Sequence, residues 1–113
     1  MLPMSPPTPY ETAEPTRAEI DALTGATLLE FGTPWCGFCR AAQPAIALAM
    51  AAHPQVRHLR IEDGSGRALG RSFGVTLWPT LVFLRDGQEV QRMVRPREPA
   101  PIQEALRTLD APA

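Results

Sequence analysis

Lysine and asparagine are absent from this sequence, and only two of its 113 residues are cysteine. All eleven basic residues are therefore arginine. Together with the abundant alanine and proline, that pattern associates with codon bias in a GC-rich, bacterial genome. Large charge of either sign is missing too. A formal net charge of −1 gives no electrostatic case for nucleic acid or an anionic membrane as partner. No run approaches the roughly 20 apolar residues that a membrane helix needs. Residues 1–8 have neither the basic nor the apolar region of a secretory signal, so a cytoplasmic chain is expected. There is no internal repeat and no sign of a second domain. What remains is the composition of an ordinary globule, 44% apolar and 20% charged, in one domain able to bury a core.

The two cysteines stand together in Trp35-Cys36-Gly37-Phe38-Cys39-Arg40. Two thiols at this spacing can close a disulfide within one helical turn or supply two ligands to a metal. In a reducing compartment such a pair is more often catalytic or metal-binding than structural. As a staple it would close too short a loop to constrain much of the unfolded chain. Two cysteines also make only half a zinc site, and the expected topology puts neither His53 nor His58 beside them. No metal and no separate cofactor is expected.

Residues 1–13 read as a proline-rich, disordered tail, in which 10–13 allow a short edge strand. Residues 14–110 read as the folded domain. A helix over 14–23 is signalled by the capping-box spacing of Thr16 and Glu19, with Gly25 as its stop. Residues 27–31 form a strand with apolar side chains on both faces, hence a central one. Glu30 shares a face with Leu28 and is expected to be buried; the alternative is a sheet edge in contact with water. Residues 36–52 read as a helix carrying Pro44, which removes a backbone hydrogen bond and is expected to kink it. A strand over 56–61 puts Leu59 and Ile61 on one face and Val56, His58 and Arg60 on the other. Ser65 is the expected cap of a short helix to residue 72. Residues 80–84 and 89–94 form a hairpin about Asp86-Gly87, and residues 101–109 a last amphipathic helix. The result is an α/β fold, a central mixed sheet of four to five strands with helices on both faces. The cysteine pair falls between a strand end and a helix start, where such sheets place their chemistry.

That position assigns roles. Cys36, at a helix N-terminus, should have its thiol pKa lowered toward neutrality. Cys39, one turn further in, should be more buried and less acidic. Cys36 then attacks a substrate disulfide and Cys39 resolves the mixed disulfide. Glu30 is the expected proton acceptor for Cys39, since burial raises a carboxylate pKa.

From about residue 27 to 109 the chain resembles the thioredoxin family. WCGFCR is similar to that family's WCGPCK, Pro44 falls where the family kinks its active-site helix, and Asp86-Gly87 matches its hairpin. The resemblance implies the thioredoxin fold and a protein-disulfide reductase working through a redox-active Cys36–Cys39 pair. It implies Trp35 as the surface aromatic beside the cysteines and Pro79, in Trp78-Pro79-Thr80, as the cis-proline. Gly37, Phe38, Trp78 and Pro79 then line the substrate-binding surface. Residue 78 offers backbone groups to an extended peptide. Disulfide-containing proteins are the implied partners, a thioredoxin reductase the electron donor, and a monomer the expected state. Four residues depart from the family. Phe38 replaces a proline, which implies a potential somewhat less reducing than thioredoxin's, and keeps open an oxidant or isomerase. Glu30 replaces an aspartate, and His58 a lysine that pairs with it; His58 is either Glu30's partner or a solvated strand residue. Gly32 replaces a tryptophan, and Trp78 either fills that volume or narrows the groove. Arg95 and Arg97 either select acidic partners or form a charged rim. A binding module on the same fold, without turnover, is the reading from another functional class.

Overall fold

A computed structural model describes residues 9–11 and 13–111. Most of the expected tail lies outside the described residues, but Tyr10 and Glu11 belong to the folded part. The Glu11 N–H donates to the Arg60 carbonyl at 2.7 Å, and Glu11 forms a single parallel bridge with Ile61.

The elements are α1 (Arg17–Asp21), β1 (Ala26–Gly32), α2 (Gly37–Ala51), β2 (Arg57–Glu62), α3 (Ala68–Ser72), β3 (Thr80–Arg85), β4 (Gln88–Val94) and α4 (Pro99–Asp110). The capping box forms as expected: Thr16 accepts from the Glu19 N–H, and Glu19 accepts from the Thr16 N–H. It opens a helix shorter than the sequence suggested. Ser65 does not cap α3. Arg67 takes the cap position without a side-chain bond, and the Glu14 carboxylate accepts the N–H groups of Ala68 and Leu69 instead. Glu14 lies outside α1, whose N-cap is Thr16.

The sheet order is β2-β1-β3-β4. β1 pairs parallel to β2 and antiparallel to β3, and β4 is an antiparallel edge. A parallel β1–β2 pair needs a crossover, which α2 supplies. Asp86 and Gly87 both have positive φ, at 49° and 78°, which fits a two-residue hairpin loop between right-twisted strands. Side-chain alternation divides the core in two. Leu28, Leu81 and Phe83 pack with α2 and α4 on one face; Leu29, Phe31, Ile61 and Val82 pack with Ile20 and Leu69 on the other. Residues 27–32 of β1 are all buried, as expected of a central strand. Pro44 lies inside α2 without ending it. The loop from β1 to α2 thus emerges from the middle of the sheet and ends at Cys36, the N-cap of α2, with Cys39 in the helix's first turn.

Candidate active site

Cys36 is the N-cap of α2, with extended backbone, and its sulfur accepts the Cys39 N–H at 3.2 Å. An N–H aimed at sulfur from the positive end of a helix stabilises negative charge there. Cys39 lies one turn in. Cys36 keeps 8% exposure and Cys39 1%, so only the first sulfur is placed to meet a protein substrate. Both are free thiols. Burial pushes the Cys39 thiol up to about 11, reinforced by its hydrogen bond with Cys36.

Around Cys36 the surface is aromatic. Trp35 is 70% exposed and meets Trp78 edge-on, with ring centroids 5.6 Å apart. The Trp78 indole donates to Asp63 at 2.9 Å, which fixes that ring beside Trp35. Phe38 and Val94 are exposed on the same side of the sheet's end, and Gly37 is exposed with open space above it. The Trp78–Pro79 bond is cis. Arg95 is neither free nor simply at the rim. Its guanidinium lies 3.8 Å over the Phe38 ring, its Nε donates to the Trp78 carbonyl at 2.9 Å, and its backbone N–H donates to the Pro79 carbonyl at 2.8 Å. Arg97 is exposed.

Beneath the cysteines lies a buried polar cluster. Glu30 is fully buried, on the α2 side of β1. His58 Nε2 meets its Oε1 at 2.8 Å, so of the two alternatives His58 is Glu30's partner. Arg60 Nε lies 3.3 Å from Oε2, and the Gln43 amide donates to the same oxygen at 2.7 Å. Gln43 also donates to the Cys39 carbonyl at 3.1 Å, which ties Glu30 to the cysteine turn. The expectation of a raised Glu30 pKa is corrected here. Burial does push the carboxyl up, but the His58 hydrogen bond, the Arg60 charge and Gln43 outweigh it and hold Glu30 below the usual carboxylate range. Arg60 and Gln43 were not among the expected site residues. Strand alternation put Arg60 on the His58 face, and Gln43 is four residues after Cys39 in a helix; both signals were present.

Trp78 does not fill the volume left by Gly32. A Cβ at Gly32 would meet the Cys39 sulfur at 2.6 Å and the Tyr10 hydroxyl at 2.8 Å. The Cys39 sulfur and Tyr10 together occupy that place, the Tyr10 ring stacked on Arg60 at 4.0 Å.

Comparison with known proteins agrees with this geometry. A family model described as Thioredoxin matches residues 10–108. The solved structure of thioredoxin 2 from Pseudomonas aeruginosa PAO1, in its reduced form, is 55% identical with a TM-score of 0.83, over 91% of this chain and 95% of that one. A thioredoxin from Chlamydia muridarum is 34% identical over 71 residues, 63% of this chain and 70% of its own. Protein disulfide-isomerase A2 from Pongo abelii is 40% identical over 94 residues. Those cover 78% of this chain, which spans only 18% of the isomerase.

Proposed function

Because the chain belongs to the thioredoxin family, with its cysteine pair in the active-site position, we propose that it reduces protein disulfides through the Cys36/Cys39 dithiol. The observation that carries this reading is the asymmetry of the two sulfurs. One lies at a helix N-terminus, accepting an N–H and retaining 8% exposure; the other, at 1%, is buried beneath it.

The Cys36 thiolate attacks one sulfur of a substrate disulfide. That S–S bond breaks, a Cys36–substrate disulfide forms, and the second substrate sulfur leaves as a thiolate that takes up a proton. Cys39, once deprotonated, attacks the Cys36 sulfur. The mixed disulfide breaks, the Cys36–Cys39 disulfide forms, and the substrate departs reduced by two electrons. A reductase, of thioredoxin reductase type, then returns two electrons to the chain. A substrate strand laid beside Trp78 and Pro79 competes with Arg95 for the Trp78 carbonyl. Glu30 serves as a fixed anion that orders His58, Arg60 and Gln43 under the cysteine turn; its depressed pKa makes it a poor proton acceptor for a thiol.

Two features favour a second reading, net oxidant or isomerase: Phe38 between the cysteines and the similarity to a protein disulfide-isomerase. Both readings share the chemistry and differ in its direction. Reduction of insulin in the presence of dithiothreitol is the direct test. The expected result is precipitation of the insulin chains well above the dithiothreitol background, lost in Cys36→Ser. A wild-type rate equal to background would leave only a binding module on this fold.

A further inference from the structure

The N-terminal segment brings a phenol to the resolving thiol. Tyr10 is anchored twice. Its ring stacks on the Arg60 guanidinium, and the next residue, Glu11, is hydrogen-bonded to the β2 backbone. The hydroxyl thereby reaches the space over Gly32, which lacks a side chain of its own and which the Cys39 sulfur also borders. There it converges with the Cys39 sulfur on one point, 2.8 and 2.6 Å respectively from where a Gly32 Cβ would stand, and it lies 3.5 Å from Glu30 Oε2.

The two contacts are unequal. An oxygen–oxygen separation of 3.5 Å is long for a hydrogen bond. Glu30 is already supplied by Gln43 at 2.7 Å and His58 at 2.8 Å. The phenol proton is therefore left for the sulfur. Burial, with the negative charges of Glu30 and Cys39 behind it, pushes the Tyr10 phenol up, so the hydroxyl keeps its proton and remains a donor.

We infer that Tyr10 takes part in the resolving step: its hydroxyl donates to the Cys39 thiolate and increases the fraction of Cys39 able to attack the mixed disulfide. This deepens the dithiol reading and rests on it. Tyr10 gives up no proton and is unchanged at the end of the step. The proton lost by Cys39 leaves through a cavity of ≈ 370 Å³ whose lining includes Tyr10, Thr33, Cys39, Gln43 and Arg60. The new disulfide and the reduced substrate are those of the exchange written above.

The test isolates Cys39 in a Cys36→Ser background and follows its alkylation by iodoacetamide against pH, with and without Tyr10→Phe. Phenylalanine keeps the ring on Arg60 and removes only the oxygen. The other groups facing this thiol, Glu30 on β1, His58 and Arg60 on β2, Arg40 on α2 and Glu62 across the cavity, are the same in both proteins. Loss of a hydrogen bond to a charged group should raise the midpoint by about 1 pH unit. In a single-turnover assay on the otherwise unaltered chain, Tyr10→Phe should slow resolution about tenfold, matching that shift, and leave attack by Cys36 intact. An unchanged or lowered midpoint would overturn the role of Tyr10. That readout needs no turnover, so a failure of the reductase reading would show separately, in the insulin assay.

Discussion

Replacing Cys39 by serine is expected to stop the reaction at a stable mixed disulfide. Cys36 stays at the end of α2, where its sulfur accepts the residue-39 N–H, and its route to substrate is untouched. The attack step is therefore expected to survive. The second step has no other sulfur, because the chain has only two cysteines. Insulin reduction should fall to the dithiothreitol background, and the adduct should appear as a mass increase that dithiothreitol reverses. Cys36→Ser should lose both turnover and adduct, since Cys39 is 1% exposed and cannot reach a protein disulfide. A Cys39→Ser protein that turns over at the wild-type rate would contradict the assignment of roles, as would adduct formation at Cys39 in Cys36→Ser.

The second large effect is on stability. Glu30 is fully buried against the Arg60 guanidinium and the His58 imidazole. Glu30→Ala leaves Arg60 and His58 in the interior without their carboxylate. Breaking one side of a buried pair costs about 3–5 kcal/mol, a large share of the roughly 5–15 kcal/mol that holds a domain folded. Urea denaturation of the reduced protein at neutral pH should show that loss. The pH dependence has a definite sign. The Glu30 carboxyl is held below its ordinary range in the folded chain, with burial opposing and His58, Arg60 and Gln43 prevailing. Its contribution is therefore fully present above the unfolded value, near about 4.3, and is lost as pH falls through the lower folded value. Glu30→Gln should flatten the acid limb of the stability curve. A raised folded pKa would act the other way, with stability increasing on acidification below neutrality; that outcome would restore the base role.

Much of the scaffold was legible because it rests on alternation and caps. Leu28 and Glu30 share one face of β1, with Leu29 and Phe31 on the other, and the core divides along that line. Alternation likewise put His58 and Arg60 on one face of β2, and the family resemblance supplied Glu30 as the partner of His58. Long-range substitutions of one group for another were not legible. Glu14 caps α3 from 54 residues away, a task that Ser65 was expected to perform locally. Tyr10 shares with the Cys39 sulfur the space left by Gly32, although it lies in a proline-rich stretch with no periodicity to read. The direction of the Glu30 shift is not legible from burial and one candidate partner, His58. Its sign depends on how many donors converge on one carboxylate, a sum over β1, β2 and α2 that only the assembled fold supplies.

The central claim is that Cys36 and Cys39 form a reversible redox couple. A redox titration in glutathione or dithiothreitol buffers tests it directly. Tryptophan fluorescence serves as the readout, since Trp35 adjoins Cys36 and contacts Trp78. The account predicts one two-electron transition, absent from Cys36→Ser, at a potential somewhat less reducing than the roughly −270 mV of thioredoxin. A chain with no transition over that range, or one whose transition survives in Cys36→Ser, would contradict it.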